Sequence, residues 1–305
     1  MKRDDSGLSS EELENVRLYS RKLLHKADAV GQFPTPVDHI VKTANLFVNN
    51  DISLGKDLST VQRFSSNIAK LARPHLFEIK KLLGLLHVPS GEIIIDHSQH
   101  EKKKVFIKLH ETGHSFLPHQ RKMFEVMEDG QLELNPDTND LFEREANNFA
   151  SETLFQGDQY EKMAADYQLS IKTPIDLSKK FGSSTYSSMR RYVSTHFSPL
   201  ALAVYDHRPA KNHDAPFLLR RGMIVSDTFI TKFGPARMPN PCEKHSHLGE
   251  ILSRAKLHTH HKCNTADLNG TLHNCSLHVF NNSYEIFVLL IPEKKIGRSD
   301  SQIAF

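Results

Sequence analysis

The stretch Leu109-His110-Glu111-Thr112-Gly113-His114 decides how this chain is interpreted, because it has the form H-E-x-x-H. Residues four apart on a helix share a face, so His110 and His114 can hold one metal ion together. Glu111 lies about 100° around the helix from His110, where its carboxylate can address a water on the same metal. Two neutral imidazoles and a carboxylate base are the minimal set of a zinc peptidase.

The residues around the motif predict a helix with an apolar back against a core. The apolar positions at helical spacing are Phe106, Leu109, Gly113, Phe116 and Leu117. Gly113 costs a helix roughly 1 kcal/mol relative to Ala, so we expect a packing reason: another element approaches the helix here. A short strand is predicted upstream at Glu92–Asp96. Strand followed by motif helix is a common layout in zincins, in which an edge strand beside the cleft pairs with extended substrate.

The third metal ligand must come from another segment, and Asp140–Ala150 is the best source. Its apolar positions follow the helical period, with Asp140 as the expected N-cap. Glu143 and Asn147 share a face, so the carboxylate can bind zinc while the amide accepts the N–H of a ligand histidine. Glu145 lies about 200° from Glu143 and suits a solvated face, so its replacement is expected to leave zinc binding unchanged. Taken alone, the segment also fits an ordinary amphipathic helix.

Together, Leu109–His114 and Glu143–Ala150 resemble the ImmA/IrrE family of bacterial and phage zinc metallopeptidases, with similarity from about Pro36 to about His196. The resemblance implies a cytosolic endopeptidase that cuts a repressor, often one with a helix-turn-helix, and so triggers a stress, phage or mobile-element response. It also implies one zinc ion per chain. The zinc ligands would be His110, His114 and Glu143, with Glu111 as the base. The chain departs from the family after Ala150, where it reads Ser-Glu-Thr-Leu-Phe-Gln-Gly instead of Leu-Leu-Met-Pro.

Composition indicates an intracellular globular protein with about two domains in its 305 residues. Hydrophobic residues make up 38% of the chain, but no run approaches the roughly 18 needed to span a membrane. The charged N-terminus lacks the apolar segment of a signal peptide, and three cysteines favour a reducing compartment. We therefore expect a cytoplasmic protein without membrane contact. A net charge of +3 permits nucleic-acid contact without predicting it.

The expected fold is α+β, with a mostly helical zincin-like metallopeptidase domain that contains a small sheet, followed by a C-terminal domain built on a sheet. The predicted domains are a helical extension (1–35), the peptidase domain (36–196) and the C-terminal α/β domain (197–305). The extension should contain a polar surface helix over Glu11–Lys26. Thr35 should cap a helix that starts at Pro36 and runs to about Val48. Further helices are predicted over Thr60–Ala72, His75–Leu83 and Tyr160–Leu169.

The segment 174–195 has the pattern of a helix-turn-helix. Pro174 should start one helix, Gly182 end it, and Ser184 cap the next. Arg190 and Arg191 could then contact phosphates. Because helix pairs of this kind often serve packing alone, DNA binding is possible but not favoured.

The C-terminal domain contains strand-like runs at Leu200–Tyr205, Gly222–Ile230 and Cys275–Pro292, with a hairpin turn at Asn281-Asn282. We expect a sensor or substrate-docking module. It also collects metal-binding residue types: Cys242, His245, His247, His258, His260, His261, Cys263, His273, Cys275 and His278. The spacings Cys242-x-x-His245 and His261-x-Cys263 could form halves of a second zinc site, but they match no familiar finger, so a scattered set is the favoured interpretation.

The sequence therefore predicts a zinc metalloendopeptidase that hydrolyses a protein substrate, with a transcriptional repressor as the expected substrate. The alternative is a non-catalytic DNA- or partner-binding regulator with a structural zinc. An enzyme also needs a group that stabilises the oxyanion, for which His119, Tyr160 and Tyr167 are the candidates.

Overall fold

A computed structural model describes residues 7–49, 84–88, 90–128, 135–206, 217–255 and 258–293. The helices are α1 (Ser10–Lys26), α2 (Val37–Thr43), α3 (Glu101–Phe116), α4 (Pro118–Glu128), α5 (Pro136–Leu154), α6 (Gln159–Ala165), α7 (Lys172–Phe181), α8 (Thr185–Thr195), α9 (Asp227–Phe233) and α10 (His247–Arg254). The strands are β1 (Phe47–Asn49), β2 (Gly84–His87), β3 (Glu92–Ile95), β4 (Ala201–Asp206), β5 (Phe217–Leu218), β6 (Arg220–Val225), β7 (Cys242–Glu243), β8 (His258–Ala266), β9 (Leu272–Asn281) and β10 (Glu285–Pro292). The predicted α+β class, helices first and a sheet at the C-terminal side, is confirmed. The helices predicted over 60–72 and 75–83 lie outside the described residues.

Two compact units make up the chain. The first comprises Met1–Tyr160 and Ser178–Ser184, and the second comprises Glu161–Leu177 and Thr185–Phe305. The predicted domain boundaries after residues 35 and 196 stay predictions. No helix in the described part of the chain is both long enough and apolar enough to cross a membrane.

The small sheet of the first unit has the strand order β1-β3-β2, with β1 parallel and β2 antiparallel to β3. The strand predicted at Glu92–Asp96 is confirmed as β3, and all four of its residues are buried. Because β3 is paired on both sides, it cannot be an edge strand that takes up substrate. Among the described strands, β1 and β2 are the edges of this sheet.

Helix α1 begins at a capping box, in which the Ser9 hydroxyl accepts from the Glu12 amide and the Glu12 carboxylate accepts from the Ser9 amide. It was expected to be a polar surface helix, but Val16 and Leu23 are fully buried. On the same face, Ser20 and Thr153 of α5 share a hydrogen bond of 2.9 Å between their hydroxyls. Helix α1 therefore packs against α5.

Helix α2 is shorter than predicted. It covers Val37–Thr43, with Pro36 at the N-cap position and no side-chain cap. The Thr35 hydroxyl donates instead to the carbonyl of Leu154, at 2.7 Å, so it fastens the chain to the end of α5. Asn45 adopts a left-handed backbone, φ 61°, which ends the helical path before β1.

The sheet of the second unit has five antiparallel strands in the order β6-β4-β10-β9-β8. The predicted β9–β10 hairpin is confirmed, with Asn282 accepting from the amides of Tyr284 and Glu285 at its turn. The strand predicted over Gly222–Ile230 is wrong in its second half. Ser226 ends β6 and caps α9, because its hydroxyl accepts from the Phe229 amide at 3.2 Å.

Candidate metal centre

Helix α3 places both motif histidines on one face, as predicted. The His100 ring caps the helix by accepting from the Lys102 amide. Ile107, Leu109 and the C-cap residue Leu117 are buried. The Nε2 atoms of His110 and His114 lie 3.1 Å apart. Four-residue spacing on a helix anchored by its apolar side thus brings the two imidazoles to one point.

Gly113 allows α5 to approach α3 closely beside these histidines. A Cβ atom at this position would lie 3.2 Å from Cβ of Phe149 and 3.3 Å from Cα of Ala146. Such separations are tighter than ordinary van der Waals contacts. The packing reason expected for this glycine is therefore present, and it lets a side chain of α5 reach the two imidazoles.

Glu143 is the α5 residue that meets the histidines. Its carboxylate oxygens lie 3.4 Å from Nε2 of His110 and 3.6 Å from Nε2 of His114. Among the described residues, these three form the group of His, Cys, Asp or Glu whose donor atoms all lie within 4.8 Å of one another. We call it the three-donor cluster.

The dimensions of the three-donor cluster fit zinc. Tetrahedral ligands at about 2.0 Å from zinc lie roughly 3.3 Å from one another. The observed donor separations of 3.1, 3.4 and 3.6 Å bracket that value. Two imidazoles and one carboxylate also match the donor sets of catalytic zinc sites, which keep a fourth position open. The Glu143 side chain is 51% exposed, so the cluster opens toward solvent on this side.

The electrostatics of the cluster favour a cation. Burial alone would raise the pKa of Glu143, but the hydrogen bonds and charges of the two imidazoles outweigh it and hold this pKa well below its usual range. Burial lowers the pKa of His114, while the hydrogen bond and negative charge of Glu143 and the charge of Glu111 raise it to about 9. The negative field that retains a proton here would equally attract a divalent metal ion.

Asn147 contacts the first histidine as expected. Its Oδ1 lies 3.1 Å from Nδ1 of His110. An amide oxygen only accepts, so the imidazole donates from Nδ1 and keeps the lone pair on Nε2 for a metal.

Glu111 is buried next to the cluster, with 8% of its surface exposed. Burial raises the pKa of its carboxyl group, and the nearby charges of His110 and His114 lower it in part. A carboxylate with a raised pKa is a stronger base and so a better proton acceptor. Its position and environment thus suit the predicted base.

The expectation that Glu145 faces solvent is wrong. Its exposed fraction is only 4%, and its Oε2 lies 2.6 Å from Nε2 of both His119 and Gln120. The pattern of α5 suggested one apolar face, but other helices cover more than one side of it. Glu152 is also buried on α5 and pairs with Arg17 of α1 at 3.5 Å.

Gln120 is a site residue that the sequence analysis missed. It lies on α4, fully buried, and its Oε1 is 2.7 Å from Nδ1 of His114. The linear signal is weak, since Leu117 interrupts the motif helix and Gln120 belongs to a new helix that begins at Pro118. A spacing of six from His114 has no helical meaning across such a break.

Of the three candidates for stabilising the oxyanion, Tyr160 is excluded by its burial. It is fully buried, and its ring packs edge-on against Phe155 and tilted against Phe181. The His119 side chain is 40% exposed, but its Nε2 is engaged by Glu145. Tyr167 belongs to the second unit and is 46% exposed. An oxyanion role for His119 or Tyr167 stays a prediction.

The helix-turn-helix pattern corresponds to α7 and α8. Gly182, at φ 75°, follows the first helix, and the second begins one residue after Ser184. Arg191, one of the two arginines that could contact phosphates, is buried, and its guanidinium pairs with Glu161 at 2.6 Å. Arg190 is partly exposed.

The cysteines and histidines of the second unit are distributed over several strands, a turn and a helix. All three cysteines are buried. Cys263 and Cys275 lie directly opposite each other on β8 and β9, within the hydrophobic core. His260 faces His278 across the same strands, with ring centroids 3.9 Å apart. In the parts of this unit that the structure describes, no three such residues bring their donor atoms together.

The chain is similar to a known protein family and to a solved structure. Residues 73–191 match a family model described as a peptidase IrrE N-terminal-like domain. Among solved structures, a Mycobacterium tuberculosis transcriptional regulator is similar, with a TM-score of 0.52 over 92% of this chain and 76% of that one. At 9% identity, this likeness concerns the fold alone. No curated protein matches the chain in sequence. The match of residues 73–191, which contain the motif helix and Glu143, thus supports the ImmA/IrrE family.

Proposed function

We propose that this protein is a zinc-dependent endopeptidase. The observation that carries the proposal is the three-donor cluster of His110, His114 and Glu143, with the Glu111 carboxylate on the adjacent helical position. The match of residues 73–191 to a peptidase family supports it. The expected loading is one zinc ion per chain, held by the two Nε2 atoms and the Glu143 carboxylate.

The chain's own residues have distinct parts in the proposed hydrolysis. A bound zinc ion would acidify a water molecule and polarise the scissile carbonyl. The Glu111 carboxylate takes a proton from the attacking water and returns it to the leaving amine, so that it acts first as base and then as acid. Asn147 holds His110 with Nε2 toward the metal by accepting at its Oδ1.

The proposed substrate is a protein, with a helix-turn-helix repressor in the cytoplasm as the first candidate. This part of the proposal rests on the match of residues 73–191 to the IrrE N-terminal-like domain. Cleavage of such a repressor would allow transcription of the genes that it represses. A stress, phage or mobile-element signal would then act upstream of the peptidase.

A non-catalytic regulator is the alternative, and the fold likeness to a transcriptional regulator is the observation that keeps it in view. The pairing of Arg191 with Glu161 counts against DNA contact through α8, because it occupies one of the two arginines that could contact phosphates. A structural zinc would also need a fourth protein ligand to close its coordination. The half-exposed Glu143 side chain fits an open site better.

The test compares the zinc-loaded protein with its Glu111→Gln variant. Both are incubated with the repressor encoded beside the gene, and fragments are identified by mass spectrometry. We expect equal zinc content and a loss of about 10²- to 10⁴-fold in cleavage rate, because the change keeps the shape and removes the base. Equal cleavage by the variant, or no cleavage of any candidate by the wild type, would overturn the mechanism or the enzyme assignment respectively.

A further inference from the structure

A buried line of polar side chains runs from the second motif histidine away from the cluster. It consists of His114, Gln120 and Glu145, which are 6%, 0% and 4% exposed. The contacts are 2.7 Å from His114 Nδ1 to Gln120 Oε1, and 2.6 Å from Gln120 Nε2 to Glu145 Oε2. Buried polar groups persist where each is hydrogen-bonded, and a fully satisfied network favours a single arrangement.

The chemistry of the partners determines the orientation of the Gln120 amide. Its Nε2 faces the backbone carbonyl of Phe142 at 3.3 Å as well as the Glu145 carboxylate. A backbone carbonyl only accepts, so the amide nitrogen must point to this side. The amide oxygen therefore points to His114, and the imidazole must donate from Nδ1.

This donor assignment has a consequence for metal binding. A neutral imidazole with its proton on Nδ1 carries its lone pair on Nε2, the atom that lies in the three-donor cluster. The Glu145 carboxylate also strengthens the polarisation of the Gln120 amide, which makes its oxygen a better acceptor. Support of this kind orients a ligand histidine and raises its basicity.

We propose that Gln120 and Glu145 are positioning residues, which hold His114 with Nε2 directed at the metal. This rests on the proposed zinc site but not on any particular substrate. Each motif histidine then has its own amide support, Asn147 from α5 for His110 and Gln120 from α4 for His114. His119 anchors the far end of the line, with its Nε2 at 2.6 Å from Glu145 Oε2.

The competing interpretation is that Glu145 serves only as the partner of His119 and joins α4 to α5. A purely structural pair would affect folding stability, but it would leave the protonation pattern of His114 unchanged. The test therefore needs a measurement of the His114 tautomer in addition to zinc affinity and stability.

The variants are Gln120→Leu, which removes all three side-chain hydrogen bonds of Gln120, and Glu145→Gln, which keeps the shape and an acceptor. The control is His119→Ala, which removes the outer contact to Glu145 and leaves the His114–Gln120–Glu145 line in place. Zinc affinity is measured by competition with a chromophoric chelator, and stability by urea unfolding of the metal-free proteins. Nitrogen-15 NMR of the imidazoles gives the tautomer of His114.

We expect Gln120→Leu to weaken zinc binding by about 10- to 100-fold, the usual cost of losing a supporting residue, with His114 losing its uniform Nδ1–H tautomer. Glu145→Gln should shift the His114 signals and weaken binding less, and His119→Ala should change zinc affinity less than threefold. Should Gln120→Leu fail to fold, the isosteric Glu145→Gln variant carries the same test.

Unchanged zinc affinity and an unchanged His114 tautomer in Gln120→Leu and Glu145→Gln would overturn the positioning role. A failure of the wild-type protein to bind zinc would instead overturn the proposed function. The two failures are thus distinguished by the wild-type titration.

Discussion

The helix pair α3–α5 and the strand pair β8–β9 both carry side chains of metal-binding type. Among the described residues, only the helix pair brings three donor atoms together. On the helices, His110, His114 and Glu143 converge within 4.8 Å. On the strands, Cys263 and Cys275 enter the core, while His260 and His278 pair on the other face. A helix returns to the same face after four residues, whereas a strand alternates faces at every residue. Residue types alone therefore do not indicate a metal site; the backbone period decides whether donors meet.

Close approach of the two helices is the second requirement. The α3–α5 pair meets it because Gly113 has no side chain between the helices. In the strand pair, the core-facing side is already filled, since the cysteines pack among apolar neighbours. Four experiments probe this contrast, from the largest expected effect to the smallest.

Removal of the third donor should have the largest effect. Glu143→Ala takes away the only carboxylate of the three-donor cluster, so we expect zinc affinity to fall by more than 100-fold, beyond the loss typical of a supporting residue. Zinc content after dialysis against a chelator measures this. Asp137→Ala is the control, because Asp137 is exposed on the first turn of the same helix. Equal zinc retention by Glu143→Ala would mean that the metal is held elsewhere.

The second-largest effect is expected from filling the close contact between α3 and α5. Gly113→Leu places a side chain where a Cβ alone would be 3.2 Å from Phe149 Cβ. We expect overpacking to lower the free energy of unfolding by about 3 kcal/mol, with weaker zinc binding as Glu143 moves away. Lys103→Leu, at an exposed position of the same helix, should have little effect on either quantity. A Gly113→Leu protein as stable as the wild type would show that close approach is not required.

The arginine pair on α8 tests whether that helix serves packing or DNA. Arg191→Ala leaves the partly buried Glu161 without its partner at 2.6 Å, so we expect a loss of about 2 kcal/mol in unfolding free energy. Arg190→Ala should cost less, since this residue is partly exposed. Urea unfolding gives both values, and duplex binding at physiological salt should stay weak in all three proteins. Tight, sequence-selective binding that Arg190→Ala abolishes would restore the helix-turn-helix hypothesis.

The smallest change is expected from the strand pair. Cys263→Ser puts a hydroxyl group into the hydrophobic core opposite Cys275, which should cost about 1 kcal/mol of unfolding free energy. Zinc content should remain at one ion per chain, because we assign the metal to the three-donor cluster. A second zinc ion in the wild type that disappears with Cys263→Ser would show that the C-terminal cysteines form a site after all.

Features that depend on local backbone periodicity were predictable from the sequence. The pairing of His110 with His114, the glycine at a helix contact and the shared face of Glu143 and Asn147 follow from one helical period. The β9–β10 hairpin follows from its asparagines and alternating apolar residues. In each case the interacting residues are close in the chain, or a strong sequence pattern predicts the helices and strands that carry them.

The tertiary structure alone decided which polar residues lie inside. The sequence pattern placed Glu145 on a solvated face and left Arg191 available to phosphate, yet both are buried with partners from other helices. Gln120 supports His114 from a separate helix, beyond a break at Pro118. Burial of a polar side chain depends on what packs over it, and hydrogen bonds across elements depend on distances in space. Neither quantity has a period along the chain.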